Sequence, residues 1–267
     1  MANQKNTFTR VAKQGGKSLG VDFNGAIRKG KKPVPASVKG GAFFACVAAG
    51  ILLVVLALGA AVYINATKVE TFDALLLKHV DCQGLGTDEA SLHSLAKETM
   101  AYLTDVQSTW EPQITLSGFP VSSFIPQSFR DHMETVKSGL RIAKNALLAG
   151  AGIALALLFG VMGRAKGKKQ SRFSAGGYYL GVGVGLAIIA GIALWAFLDF
   201  ESLWRILHEA FIPDGIFNAA EPIMAFFPVE MFAGYMMPVG SAFGLLIAAV
   251  LVLPLVLRPL SDKMAGR

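Results

Sequence analysis

Phe129-Arg130-Asp131-His132-Met133-Glu134-Thr135-Val136-Lys137 places an imidazole, three carboxylate or hydroxyl groups and two cations ahead of Asn145 to Gly163, a run without a single charge. Gln127-Ser128 offers a helix cap in front of it. Phe129 to Gly163 therefore reads as one long helix that starts in water and continues into lipid. A spanning helix needs about 20 apolar residues to cross roughly 30 Å of hydrocarbon. Gly41 to Ile64, Phe173 to Leu198 and Met231 to Leu257 are three more uncharged runs of that order. Hydrophobic residues make up 53% of the 267, and the mean hydropathy is +0.50. Concentrated in four runs, they describe spans, because buried helices of soluble proteins are rarely so long and so uniformly apolar. The expected fold class is all-α: a polytopic membrane protein with four transmembrane helices and an α-rich extracytoplasmic subdomain.

Charge orients the chain. Residues 1–40 carry nine Lys/Arg and one acid, Arg164 to Ser174 five Lys/Arg and no acid, and the end after Leu257 three Lys/Arg and one acid. Asn65 to Gly139 holds five basic and ten acidic residues, and Asp199 to Glu230 one and six. Basic segments stay on the cytoplasmic side. The expected layout is a basic disordered cytoplasmic tail (1–40), a first span (41–64), an extracytoplasmic region (65–139), a second span (140–163) and a basic cytoplasmic loop (164–174). A third span (175–198), an extracytoplasmic interfacial region (199–235), a fourth span (236–257) and a cytoplasmic tail (258–267) follow. The net charge of +7 is thus first a topology signal. No basic face with nucleic-acid motifs accompanies it, so nucleic acid is not an expected partner. Membrane lipid is, through the tail's Lys/Arg.

None of the four runs contains Asp, Glu, Lys, Arg or His. Coupled transport and proton relays use such groups at membrane depth, so chemistry belongs at the outer interface. Cys46 lies in the first run and Cys82 outside it, which excludes a disulfide between them. Phe43-Phe44-Ala45-Cys46 is not a lipoprotein cleavage box, since the apolar run follows the cysteine. The first span is expected to remain as an anchor.

In the outer region, His79, Asp81 and Cys82 lack the matching second pair that a zinc site needs; no metal or other cofactor is expected. Gly84 and Gly86 mark a turn. Thr87-Asp88-Glu89 opens a helix over 88–104, with Leu92, Leu95, Met100 and Leu103 at helical spacing and His93 as an exposed residue without a partner. Pro112, Gly118, Pro120 and Pro126 put a loop or short strands at 105–127. The 199–235 stretch is too apolar for a free loop and too interrupted for a span, so it is expected to lie in the membrane interface. Lys137, Arg141 and Lys144 form a cationic cluster at the outer end of the second span. It suits lipid phosphates, pairing with Glu134, Asp131 or the acids of the second outer loop, or snorkelling to the interface.

His132 and His208 are the two outer histidines beside the membrane that stand out. His132-Met133-Glu134-Thr135-Val136-Lys137 resembles the His-Met-x-Asp-Val-Lys motif of a family of four-span bacterial membrane proteins that includes lipoprotein intramolecular transacylases. Leu207-His208-Glu209-Ala210-Phe211-Ile212 is similar to that family's Phe-His-Glu-x-Phe-Phe motif, and Pro228-Val229-Glu230-Met231-Phe232 to its segment before the fourth span. The resemblance covers about 41–257, including the order of spans and the loop sizes. Thr135 stands where the family usually has Asp, a group able to orient a histidine. Leu207 and Ile212 replace Phe, and Ile216-Phe217 stands about where a Trp is usual.

The resemblance implies an acyltransferase of the bacterial cell membrane whose partner is the N-terminus of a diacylglyceryl lipoprotein. The sn-2 acyl chain would move from the glyceryl ester to the free α-amine of the cysteine, leaving a lyso-form lipoprotein. The substrate supplies nucleophile and ester, so no enzyme Ser or Cys is required. The resemblance makes His132 the base and His208 the donor to the oxyanion and leaving group, with the converse assignment open. It also gives Lys137, Arg141, Arg205 and Glu134 as supporting or substrate-binding residues, and Glu209 as the group orienting His208. Two competing readings are a Cys82 nucleophile and a non-catalytic membrane protein that binds lipid or a protein partner at its outer face. A shared cavity for His132 and His208 would favour catalysis.

Overall fold

The computed structural model describes residues 36–163, 173–212 and 222–264. The readings of the tail at 1–35, of most of the basic loop, of Ile216-Phe217 and of the last three residues lie outside the described residues.

Among those described, the chain runs α1 (Ala36–Ala66), α2 (Val69–His79), α3 (Cys82–Leu85) and α4 (Glu89–Leu103). A two-residue hairpin follows, β1 (Thr115–Leu116) with β2 (Phe119–Pro120), antiparallel with Thr115 opposite Pro120. A 3-10 turn at Val121–Ser123 leads to α5 (Gln127–Gly163), α6 (Ala175–Leu198) and α7 (Phe200–Phe211). A second 3-10 turn at Pro222–Phe226 then precedes α8 (Val229–Ala233) and α9 (Met236–Met264). Apart from the hairpin, the described regular structure is helical.

Local chemistry accounts for the boundaries. The Asp81 carboxylate accepts from the backbone N–H groups of Gln83 and Gly84, and Gly86 closes α3 at φ +60°, a left-handed conformation that glycine adopts without strain. Asp88 caps α4 through the Ser91 N–H at 2.7 Å, and Asp199 caps α7 through the Ser202 N–H at 3.0 Å. Gln127 is itself the first residue of α5 instead of its cap, and its amide donates to Asp131 Oδ1 at 2.8 Å.

Four helices are long and apolar enough to cross a membrane, namely Gly40–Ala66, Gln127–Met162, Ala175–Leu198 and Met236–Lys263, as befits a multi-pass membrane protein. With 37 residues, α5 is roughly 55 Å long. That exceeds the hydrocarbon thickness of about 30 Å. Its charged first turns, from Arg130 to Lys144, stand clear of the apolar part.

Residues Gly40–Arg267 form one compact unit with two apolar cores. The first lies among the spans, where Cys46, Ala49 and Val54 of α1 meet Leu158 and Val161 of α5 and Tyr178 and Val182 of α6. Glycine sets the distance between α1 and α6: a Cβ on Gly181 would strike the Val47 carbonyl, and one on Gly50 the Tyr178 carbonyl. The Asn65 amide donates to Ala61 O and Pro238 O, tying the end of α1 to the start of α9. The second core joins the two stretches that the spans separate in sequence. Phe72, Leu76, Leu92, Leu95, Trp110 and Phe129 from the first pack with Ile223, Phe226, Phe227 and Met231 from the second.

After the third span the chain forms α7, an amphipathic helix with Leu203 buried. One predicted feature differs: His93 does have a partner, because its Nδ1 lies 2.7 Å from Asp73 Oδ1 on α2.

Candidate active site

The second core leaves a cavity of about 390 Å³ along one side. This is within the usual range for small-molecule sites, roughly 300–1,000 Å³. Most of its wall is apolar. Helix α5 contributes Phe129, His132, Met133 and Val136, helix α7 contributes Glu201, Trp204, Arg205 and His208, and Phe227 and Phe232 come from the approach to α9. The α5 residues recur at three and four positions, as do those of α7, so each set forms one face of its helix.

The rings of His132 and His208 are 6.0 Å apart, centroid to centroid, and 19° from parallel. Each is seated by aromatic neighbours. His132 lies 5.8 Å from the Phe129 ring. Trp204 lies 4.3 Å from His208 and also stacks on Phe232 at 4.5 Å. His208 Nδ1 donates to the Trp204 carbonyl, one turn back, at 3.2 Å. A carbonyl can only accept, so this bond fixes the tautomer and leaves the lone pair on Nε2.

Burial pushes the pKa of half-buried His132 down to about 4, with the nearby His208 ring adding a smaller push in the same direction. His132 is therefore a neutral imidazole at neutral pH. Rings this close to one another also resist carrying two positive charges at once.

The remaining predicted residues divide. Arg205 borders the histidine cavity. Glu134, Lys137 and Arg141 line a separate polar cleft on another side of α5, about 590 Å³ in volume, together with Tyr102, Asp105 and Gln107. There the Lys137 ammonium donates to Gln107 O at 2.9 Å, pairs with Asp105 Oδ1 at 3.2 Å and sits 4.3 Å above the Tyr102 ring. Among the described residues its ion-pair partner is thus Asp105, and not Glu134 or Asp131. Glu209 is exposed and lines neither cavity, and the hydrogen bond that orients His208 comes from the Trp204 carbonyl. Thr135 is exposed, and its hydroxyl donates to Asp131 O at 3.1 Å within its own helix. The position where the family usually has Asp therefore lies off the cavity wall.

Cys82 stands on α3 and is absent from the cavity wall. Burial, then Glu89, Asp81 and Asp88, raises its pKa, which is the reverse of what activates a thiol. Among the described residues, no group of three or more His, Cys, Asp or Glu side chains is arranged to hold a metal ion.

Glu201 and Trp204 are cavity residues that the sequence reading did not single out. The signal was their spacing from His208, seven and four positions, which has meaning only once 200–211 is known to be helical.

Comparison with known proteins gives one family model, lipoprotein intramolecular transacylase Lit, which matches residues 45–232. Neither curated proteins nor solved structures give a match. The matched range is well over half of the chain and includes both cavity-facing histidines, so the protein belongs to the lipoprotein intramolecular transacylase Lit family.

Proposed function

We propose that this protein transfers the sn-2 acyl chain of a diacylglyceryl-cysteine to the cysteine's own α-amine at the outer face of a bacterial cell membrane, with both termini in the cytoplasm. The observation that carries the reading is the pairing of His132 and His208, 6.0 Å apart on one largely apolar cavity. The family supports a lipoprotein substrate. The distribution of Lys and Arg supports the orientation.

In the reaction, the amine nitrogen attacks the ester carbonyl carbon. A C–N bond forms, the bond from that carbon to the glyceryl oxygen breaks, and one proton passes from nitrogen to the departing oxygen. Product and substrate are isomers. The geometry favours the converse of the first assignment of roles. His208 keeps its Nε2 lone pair for the amine proton because Nδ1–H is committed to the Trp204 carbonyl. His132 holds protons weakly and is a poor base, but a neutral imidazole still has an N–H to offer an oxyanion. Arg205, on the same wall, adds positive charge. His208 then returns its proton to the glyceryl oxygen. Holding amine and ester in register can supply roughly 7–11 kcal/mol of the barrier.

Mass spectrometry of the N-terminal lipopeptide of a reporter lipoprotein, from cells making wild type, His132→Ala or His208→Ala, tests this. The expected wild-type product is N-acyl-S-monoacylglyceryl-cysteine, with the diacylglyceryl form persisting in both variants. Wild-type protein that is stable in the membrane yet leaves the diacylglyceryl form untouched would point to a lipid- or partner-binding protein.

A further inference from the structure

Helix α7 presents Glu201, Trp204, Arg205 and His208 to the cavity, and Glu201 is the acidic residue of the set. An acid in the first turn of a helix often serves the helix itself, by opposing the positive end of its dipole. Here that end already has a carboxylate, since Asp199 caps α7 through the Ser202 N–H. Nor does Glu201 serve an ion pair. Among the described residues neither Glu201 nor Arg205 has an ion-pair or hydrogen-bond partner, although they stand four positions apart. Among the described residues, then, Glu201 is a carboxylate at the exposed edge of an apolar cavity that is paired with no cation, Arg205 on the same wall included. Besides Glu201, the titratable groups on that wall are His132 of α5 and Arg205 and His208 of α7.

We infer that Glu201 is a docking residue for a primary ammonium, that of the lipidated N-terminal cysteine, and this rests on the function proposed above. An α-amine has an ordinary pKa of about 7.7–8.0 and arrives mostly as the cation. A carboxylate at the mouth of the cavity attracts that cation, and the apolar wall receives the acyl chains. His208 lies seven positions further along α7, roughly 10 Å of helical rise. One ammonium does not touch both groups at once. Capture at Glu201 and loss of the proton at His208 are successive events. Glu201 therefore acts on binding more than on turnover.

The experiment measures binding of two non-reacting diether analogues of a diacylglyceryl-cysteinyl dipeptide, one with a free α-amine and one N-acetylated. Wild type, Glu201→Gln and Glu201→Asp are compared in detergent at pH 6.5 and pH 9. Wild type is expected to favour the free amine roughly three- to fivefold at pH 6.5, the range of an exposed ion pair. That preference fades at pH 9 as the amine loses its charge. Glu201→Gln has no preference at either pH, and Glu201→Asp keeps most of it. Equal preference in wild type and Glu201→Gln, or none in wild type, overturns the proposal. Turnover of the ester substrate separates the two readings. An amine preference without transacylation leaves the ammonium site standing and removes the reaction; transacylation without an amine preference does the reverse.

Discussion

Phe227, from the stretch before α8, stacks on Phe129 in the first turn of α5, with centroids 5.7 Å apart and planes 29° from parallel. Trp110 and Phe72 lie against the same Phe227 ring at 6.4 and 6.2 Å. This cluster joins the segment between the first and second spans to the one between the third and fourth, and forms part of the cavity wall that His132 shares. Truncating a buried Phe to Ala destabilises by about 3–5 kcal/mol. Phe227→Ala should lower the melting temperature in detergent and weaken activity with it. A variant that melts like wild type would show that other contacts hold the two segments together.

The low proton affinity of His132 predicts an acid sensitivity. Its folded pKa is about 4 and its unfolded value near 6.5, so between those limits the unfolded chain takes up a proton that the folded one refuses. Stability is unaffected above about pH 6.5, falls as the pH drops towards 4, and then levels off. The loss is on the order of 1 kcal/mol once screening by solvent is allowed for. Unfolding midpoints measured from pH 4 to 8 should decline less steeply in His132→Gln than in wild type. Parallel curves would count against the assignment.

Helix contact inside the membrane can be tested with two glycines of α6. A methyl group at Gly181 would meet the Val47 backbone, whereas nothing lies within 4 Å of one at Gly183. Overpacking of this kind costs about 1–3 kcal/mol. Gly181→Ala should reduce resistance to denaturing detergent, and Gly183→Ala should leave it near the wild-type value. The opposite order would mean that α1 and α6 do not meet along this line.

Arg130 fastens the 105–127 segment to α5. Its guanidinium donates to Trp110 O at 3.2 Å and to Ser122 O at 3.3 Å. Hydrogen bonds from a charged donor contribute roughly 1.5–3 kcal/mol. Arg130→Ala should speed limited proteolysis within 105–127 while cleavage elsewhere stays unchanged. Uniformly faster cleavage would indicate general unfolding instead.

The four spans were legible because lipid imposes a simple demand: long uncharged runs that satisfy their own backbone. Glu89–Leu103 was legible for a related reason, its apolar residues recurring at helical spacing behind an Asp cap. Helix α7 was not, because Leu203 faces the protein while Ile206, Leu207 and Phe211 are exposed, so its hydrophobic residues report two surroundings at once. The union of these two inter-span segments was equally hidden, since Phe227 finds Phe129 across two spans. Motif spacing drew attention to both histidines, which share one cavity wall. Glu209, adjacent to His208 in sequence, is exposed and off that wall, and the Trp204 carbonyl that bonds His208 belongs to the backbone and leaves no trace in residue identity. The pairing of His93 with Asp73 escaped for the same reason as the aromatic cluster: the partners sit on different helices.

Helix α5 also acts as a measuring rod. His132 sits thirteen positions before Asn145, roughly 20 Å of rise from the apolar part of the same unbroken helix. In the proposed reaction the imidazoles would work at a fixed altitude above the oil, and the scissile ester would have to be hoisted to them along the apolar wall. A long acyl chain would make that climb with its tail still anchored in the bilayer, whereas a short one would have to leave the bilayer altogether. Reach, as well as fit, would then sort the chains that the proposed reaction can move.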